Sequence, residues 1–436
     1  MNTREMIDAS GGPVSLTASF NSDSSCFSVG LNSGFCVFNS DPCELKVSRD
    51  FNAGVGIVEM VGQSNYLALV GGGHTPKFPQ NKVIIWDDAK QVAAMTLEFR
   101  TSILRVRITK SRIAVALYDC VHLYAFSVPP KKIAVYETGE NPHGLVCLGE
   151  THIAVPGRSA GQVQLIKLDT GNVSILPAHT SPLSAMTFSG DGAVLATASQ
   201  TGTIIRLFAT SNGAKMAELR RGLDPAEIFS LAISPSNTLL AVTSDKATLH
   251  IFDIPHARNG QETDNAPATA PVEESTNRGW GIISKLPFLP RVFSDVYSFA
   301  SARFDIGEEP LGSNYIPPPG APSERPSKGI IGWTSDKSLL VLGAGKAELG
   351  GNDISEAERP RLFILIQQIE IRNFDPYLYS QDKRKHHLIH ADSSYYFGTG
   401  LIIDSHIPNR TLPQRSESMH SPVVRHKGLV SFSPEV

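Results

Sequence analysis

Lys82-Val83-Ile84-Ile85-Trp86-Asp87 is a short β-rich run that ends in a Trp-Asp dipeptide. Similar runs end at Phe38, Phe126, Leu168, Phe208 and Phe252, and the ends of successive runs lie 40 to 48 residues apart. A period of roughly 40–45 residues is typical of a WD40 propeller blade, which is one sheet of four short strands. Helices do not explain the runs, because they are short, β-branched and separated by Gly, Ser and Asp.

The strands that precede these runs are also visible, for example at 195–199 and 239–244. Six such units end by residue 252, and the segments 329–334 and 339–343 are typical of strands of a seventh. We therefore predict an all-β fold, a seven-bladed WD40-type β-propeller over residues 10–348 with an irregular seventh blade.

Two regions interrupt the repeat. Residues 255–290 are dominated by Asn, Thr, Pro and Glu as far as residue 277, which predicts a long mobile loop in blade six. Residues 349–436 contain a short apolar run at 362–371, followed by a segment rich in His, Arg and Ser. We assign 349–436 to a divergent, disordered C-terminal tail.

Composition limits the classes of function. The 436 residues are 41% hydrophobic and carry a formal net charge of -3, so anion binding requires a local patch, and nucleic acid is not an expected partner. Five cysteines without a Cys-x-x-Cys pair indicate a reducing compartment. No secretory signal and no run of roughly 20 apolar residues is present, so we expect a cytoplasmic protein whose membrane contact is peripheral.

Two adjacent arginines stand in Leu219-Arg220-Arg221-Gly222, where a strand of the fifth unit meets a turn. Neighbouring side chains on an extended backbone point in opposite directions, so the pair can serve two anionic pockets. Arginine binds phosphate through two parallel N–H donors. The alternative is a pair of solvated surface arginines.

Short hydrogen-bond donors flank the arginine pair on both sides. The first predicted headgroup site contains Arg220, His179, Ser199, Thr203 and Arg206. The second contains Arg221, Ser244, Thr248 and His250. Alternatives remain for these residues, because Ser and Thr beside turns often bond the local backbone, the histidines can be structural, and Arg206 can pair with a carboxylate. We expect protonated histidines to hold phosphate better, which would make binding depend on pH.

The chain resembles the PROPPIN family, β-propellers that bind phosphoinositides in autophagy. Three segments carry the resemblance: 70–88, with its Gly-Gly-Gly and Asn-Lys-Val motifs, Asn141-Pro142-His143-Gly144-Leu145, and 179–252 around Arg220-Arg221-Gly222. Leu219 replaces the usual Phe, a form similar to the WIPI three/four and yeast Hsv-type branch. Ala247 replaces a glycine that is common in the family.

The resemblance implies a non-enzymatic protein that recognises phosphatidylinositol 3-phosphate and phosphatidylinositol 3,5-bisphosphate, with one arginine in each pocket. It also implies recruitment to preautophagosomal, endosomal or vacuolar membranes. A further implied partner is an Atg-two-type lipid-transfer protein bound through blades two and three, for which the loop 71–80 is our candidate surface.

The end of the blade-six loop, 278–291, is apolar with basic residues at both ends and inside. Such a stretch suits the membrane interface, and the resemblance implies insertion there. The predicted inserting residues are Trp280, Ile282, Ile283, Phe288 and Leu289. The alternative is that they cap the propeller core or lead into a strand at 292–304.

Asp392-Ser393-Ser394-Tyr395-Tyr396 is similar to a last-blade strand of the family, but lies about fifty residues later than expected. Either an insertion splits blade seven, or the final segment is unrelated sequence.

Two other functions are alternatives: a WD40 scaffold that binds proteins without lipid, and an enzyme. Phosphate-loop, zinc-site and nucleophile-elbow spacings are missing from the sequence, so we predict no enzymatic activity, metal or cofactor.

Overall fold

The computed structural model describes residues 15–255, 296–304, 328–344, 364–371 and 394–395. Their strands form seven sheets that are arranged as the blades of a propeller, which confirms the predicted all-β, seven-bladed fold. The four main strands of each blade are antiparallel, and each of the six sequence runs that carry the repeat forms the third strand of its blade.

The first four blades are continuous in sequence. Blade one contains β1 (Ser15–Phe20), β2 (Cys26–Leu31), β3 (Gly34–Asn39) and β4 (Glu44–Asp50). Blade two contains β5 (Val55–Met60), β6 (Tyr66–Gly71), β7 (Lys82–Asp87) and β8 (Val92–Glu98). Blade three contains β9 (Arg105–Ile108), β10 (Arg112–Ala116), β11 (Cys120–Ala125) and β12 (Lys131–Glu137). Blade four contains β13 (Cys147–Leu148), β14 (His152–Pro156), β15 (Gln162–Lys167) and β16 (Val173–Pro177).

The last three blades are less regular. Blade five contains β17 (Leu183–Phe188), β18 (Val194–Ser199), β19 (Ile204–Ala209) and β20 (Lys215–Arg220), and gains β24 (Val296–Tyr297) at its outer edge. Blade six contains β21 (Ile228–Ile233), β22 (Leu239–Ser244), β23 (Thr248–Asp253) and β25 (Ala300–Arg303). Blade seven contains β26 (Ile330–Ser335), β27 (Ser338–Ala344), β28 (Ile364–Glu370) and β29 (Ser394–Tyr395).

Apolar side chains are buried between neighbouring blades rather than within one sheet. Leu195 and Phe208 of blade five, for example, pack against Leu165 and Leu176 of blade four. Such packing requires hydrophobic residues on both faces of the inner strands, and all six residues of β2 and of β18 are buried. The interblade clusters hold the rim residues of blades five and six in a fixed relation.

The ring closes where the seventh blade meets the first, since β1 contacts β26 and β27. Gly332 in β26 lies against the ring of Phe20, and a Cβ atom at this position would stand 2.5 Å from the ring. Closure therefore uses side-chain packing between two complete sheets.

Blade seven takes its outer strands from beyond residue 348, where the sequence analysis placed the end of the propeller. The strand β28 pairs with β27 along seven residues, and β29 pairs with β28 through Tyr395 and Ser394. Both strands lie in the segment 349–436. For this segment the sequence left two alternatives open, and one of them was an insertion that splits blade seven.

The connection between β23 and β25 returns along the neighbouring blade. In β24, Val296 and Tyr297 pair in parallel with Leu219 and Arg220 of β20. The end of the long blade-six connection therefore runs beside the arginine pair.

All five cysteines are free thiols, three of them buried in strands. Within the described ranges, no helix has the length and apolar character needed to cross a membrane.

Candidate functional site

The arginine pair stands at the end of β20, and its two members have different surroundings. Leu219 is fully buried between blades five and six, so Arg220 faces away from that core, on the same side as Glu218. Arg221 follows the strand, is only 8% exposed, and its backbone N–H donates to the Thr203 carbonyl at 2.9 Å. The two guanidinium groups thus belong to different parts of the rim.

Arg206 in β19 is the centre of the first predicted site, and its guanidinium is largely occupied. Its Nε donates to Glu218 Oε1 at 2.9 Å, and its Nη1 donates to the Ala178 carbonyl at 2.8 Å and to His179 Nδ1 at 3.2 Å. Glu218 also accepts from Lys215 Nζ at 2.7 Å. Bonds from Lys215 and then Arg206 lower the pKa of the Glu218 carboxyl. Arg206 therefore pairs with a carboxylate, the alternative left open by the sequence.

His179 is fixed in one tautomer by this network. Arginine can only donate, so Nδ1 of His179 accepts from Arg206, and the proton resides on Nε2. That proton is donated to Thr197 Oγ1 at 3.0 Å, and Thr197 donates to the Arg206 carbonyl at 3.3 Å. The imidazole thus holds Arg206 in place while neutral, which favours the structural alternative for His179.

Burial, followed by the charge of Arg206, lowers the pKa of His179 to about 4 from its ordinary 6.5. The unfolded chain therefore binds a proton at higher pH than the folded chain does. We expect the free energy of unfolding to fall as the pH decreases from 6.5 to 4, by roughly 3 kcal/mol from His179. Chemical unfolding at several pH values measures this slope. If His179→Gln keeps the slope of the parent, the assignment is wrong.

The other two predicted residues of the first site flank a tight turn. Ser199 ends β18 and is buried, while half-buried Thr203 immediately precedes β19. Between them, the Gly202 N–H donates to the Ser199 carbonyl at 2.8 Å. The turn therefore brings both hydroxyl groups to the end of blade five from which Arg221 departs.

Arg221 is held by backbone carbonyls. Its Nε donates to the Gly202 carbonyl at 2.7 Å, and its Nη2 donates to the Asp224 carbonyl. Burial lowers the pKa of Arg221, while the carboxylates of Asp245 and Asp224 act in the opposite direction. The guanidinium is consequently a fixed, partly desolvated positive charge beside blade six.

Blade six supplies the remaining groups of the second predicted site. His250 Nδ1 lies 3.0 Å from Ser298 Oγ, and burial followed by the charge of Arg221 lowers the pKa of His250 to about 4. Ser244 is fully buried, and its Oγ accepts the Lys246 N–H at 3.4 Å. The buried Thr248 Oγ1 has no hydrogen-bond partner in the described part of the chain. Ala247 adopts a φ of 55°, which explains why a glycine suits this turn.

The structure thus brings Arg206, His179 and Thr197 together, and it places Arg221 near His250. The predicted inserting residues Trp280, Ile282, Ile283, Phe288 and Leu289 lie outside the described residues. Sequence reasoning missed Glu218, which faces Arg206 across the β19–β20 ladder. Strand alternation places Glu218 on the face of Arg220, but its pairing with Arg206 depends on the register of β19 and β20. Ser298 offered no signal, because its contact depends on where the long connection returns.

Comparison with known proteins agrees with this architecture. A family model described as PROPPIN matches residues 15–308. The chain is 63% identical to SVP1-like protein 2 of Emericella nidulans over 286 residues, which are 66% of this chain and 90% of that protein. It is 41% identical to SVP1-like protein 2 of Neurospora crassa over 391 residues, covering 79% of this chain and 91% of the relative.

Among solved structures, Hsv2 of Kluyveromyces lactis has the same fold, with a TM-score of 0.62 at 23% sequence identity. The match covers 84% of this chain and 95% of the Hsv2 chain. The family match and the identity to two fungal relatives confirm the resemblance inferred from the sequence. The chain belongs to the PROPPIN family, whose members are non-enzymatic β-propellers that bind phosphoinositides and act in autophagy as peripheral membrane proteins.

Proposed function

We propose that this protein binds phosphatidylinositol 3-phosphate and phosphatidylinositol 3,5-bisphosphate through two pockets that flank Arg220 and Arg221. The observation that carries the proposal is the different surroundings of the two arginines: Arg220 shares a face with Glu218 and Arg206, whereas Arg221 lies near His250. Fixed guanidinium groups bind phosphate through parallel N–H donors. Two such groups that face different blades can each hold one headgroup.

In the first pocket, we assign the main phosphate contact to Arg220, with Ser199 and Thr203 as neutral donors. The charge of Arg206 is offset by Glu218, and neutral His179 orients the Arg206 guanidinium. These two residues therefore act mainly by positioning. A phosphate that enters beside Arg220 would also experience the residual field of Arg206 and Lys215.

In the second pocket, Arg221 supplies the charge, and Thr248, Ser244 and His250 supply the smaller groups. Thr248 supports this assignment, because its Oγ1 is buried with no partner in the described ranges and can donate a hydrogen bond to a phosphate oxygen. His250 is neutral at pH 7, since its pKa is about 4, and a bound phosphate dianion would raise that pKa.

The long blade-six connection favours a membrane as the source of the headgroups. It begins after β23 and returns through β24 beside Arg220, so its returning end runs next to the first proposed pocket. We assign membrane insertion to the apolar residues of 278–291. Two weak headgroup sites and an inserted segment that act on one surface produce avidity far above that of one site.

We further propose preautophagosomal, endosomal or vacuolar membranes as the target, and an Atg-two-type lipid-transfer protein as a partner. The loop 71–80 supports a partner surface because it is held in a defined shape. Its Thr75 carbonyl accepts the Gly54 N–H at 2.7 Å, and the Lys77 ammonium lies 5.2 Å from the centre of the Phe51 ring. His74, Thr75 and Lys77 are exposed on it.

Vesicle sedimentation tests the lipid assignment. We expect vesicles with either phosphoinositide, but not vesicles with unphosphorylated phosphatidylinositol, to sediment the protein. Arg220→Thr/Arg221→Thr should weaken this binding at least about tenfold, because a phosphate then loses its charged partners. Lys131→Thr/Lys132→Thr is the matched control, because it removes an exposed basic pair from the outer strand of blade three.

Equal sedimentation of the parent and the arginine double variant would refute the two-pocket proposal. A parent that binds no phosphoinositide vesicle, and yet captures a protein partner through the propeller, would instead favour the WD40 scaffold.

A further inference from the structure

A polar cavity of about 420 Å³ lies between four blades that are not all neighbours in the ring. Its lining includes residues of β9, β17, β21 and β26, which are the first strands of blades three, five, six and seven. Contacts between blades are made mainly through these first strands, so a cavity common to four of them lies on the propeller axis. The polar lining consists of Arg105, His143, Ser184, Gln200, Glu227 and Lys328.

Arg105 carries a charge that no carboxylate in the described ranges neutralises. The carboxylate that acts to raise the pKa of Arg105 is that of Glu59, but it accepts from Arg107 at 2.7 Å and from Ser19 Oγ at 3.0 Å. Cys147 is a neutral thiol at pH 7, because burial raises its pKa to about 11. Burial and the charge of Arg107 lower the pKa of Arg105 to about 10, so Arg105 is still protonated at neutral pH.

A second group in the cavity also lacks a partner. Ser184 Oγ, on β17, is buried and makes no hydrogen bond to any described residue. Burying a hydroxyl group without a partner is unfavourable, which indicates that a group outside the described residues completes the site. The Ser184 hydroxyl and the Arg105 guanidinium, on different blades, are both hydrogen-bond donors. An oxyanion is the kind of ligand that can accept from both.

The charge balance of the lining also favours an anionic ligand. Glu227 and Lys328 contribute one negative and one positive charge, and burial lowers the pKa of His143 so that its imidazole is neutral at pH 7. With Arg105, the described side chains of the lining carry a formal net charge of +1. The volume lies in the range of pockets that hold small organic molecules, roughly 300–1,000 Å³.

We propose that the axial cavity is a binding site for a small phosphate-bearing anion, with Arg105 as its charged ligand and Ser184 as a donor. This site is independent of the membrane proposal, because Arg220 ends an outer strand and Arg221 follows it, whereas Arg105 and Ser184 belong to first strands. Gln200 and His143 offer further donors for the oxygens of the anion.

Thermal unfolding with added salts tests the proposal in the Arg220→Thr/Arg221→Thr background, which removes the rim arginines. At constant ionic strength, inorganic phosphate and pyrophosphate should raise the Tm above its value in chloride, and citrate should have the smaller effect. Titration calorimetry should give a phosphate affinity that Arg105→Gln weakens at least tenfold. No stabilisation beyond chloride, or equal stabilisation of Arg105→Gln, overturns the proposal. Stabilisation by citrate but not by phosphate overturns the phosphate assignment.

Folding of the variants is controlled separately. In chloride, Arg105→Gln should unfold at a temperature no lower than its parent, because it removes a half-buried charge that makes no ion pair with a described residue. Ser184→Ala removes only a hydroxyl group that has no hydrogen-bond partner among the described residues, and should retain the fold while phosphate binding weakens several-fold. Unchanged phosphate affinity in Ser184→Ala would count against the site even if Arg105→Gln failed to fold.

Discussion

Arg221→Thr is expected to lower the free energy of unfolding by about 3 kcal/mol, whereas Arg220→Thr should lower it by less than about 1 kcal/mol. The difference follows from the bonds of the Arg221 guanidinium, which donates to the carbonyls of Gly202 and Asp224 while only 8% exposed. A threonine cannot reach both acceptors, so two carbonyls and the nearby carboxylates of Asp224 and Asp245 lose their cation. Arg220 is only half-buried.

Unfolding in urea, followed by tryptophan fluorescence on both single variants, measures this difference. The same preparations should be sedimented with phosphoinositide vesicles, since each arginine is assigned to one pocket and each variant should lose part of the binding. If both variants lose equal stability, the structural role of Arg221 is refuted. If Arg220→Thr binds vesicles as the parent does, its assignment to a pocket fails.

The ring of blades could be predicted because each repeat is recognisable within a short, continuous segment of the sequence. Each of the runs ending at Phe38, Trp86, Phe126 and Phe208 forms the third strand of a sheet whose first four strands are continuous in sequence. The same reasoning is least informative for blade seven, where β28 begins twenty residues after β27 ends. A strand that lies so far along the chain from its partner falls outside the regular spacing of the repeat, and its register is defined only by the tertiary contact.

In the candidate site, too, local features could be predicted from the sequence, whereas contacts between strands could not. The sequence predicted separate roles for Arg220 and Arg221, because strand alternation alone gives neighbouring residues opposite faces. The partner of Arg206 was missed, because Glu218 lies twelve residues away and meets it only through the register of β19 and β20. The neutral state of His179 also required the structure, since it depends on burial and on which nitrogen accepts from Arg206.

Gly202→Ala is expected to lower the free energy of unfolding by about 4 kcal/mol, a larger loss than that expected for Arg221→Thr. Gly202 forms the turn between β18 and β19 with a φ of 63°, a left-handed conformation that favours glycine. An added Cβ would stand 1.8 Å from the Ala226 carbonyl oxygen. That atom belongs to the backbone, so the clash cannot be relieved by a side-chain rotation.

Gly171→Ala distinguishes the effect of backbone strain from that of the clash with Ala226. Gly171 has a φ of 73°, close to that of Gly202, but no atom lies within 4 Å of its added Cβ. Its replacement should therefore lower the free energy of unfolding by only about 1 kcal/mol, from backbone strain alone. Because the Gly202 carbonyl accepts from Arg221 Nε, Gly202→Ala should also weaken phosphoinositide binding, while Gly171→Ala should leave it unchanged. Equal losses of stability in the two variants would show that the contact with Ala226 is not decisive, and that strain alone determines the requirement for glycine at this turn.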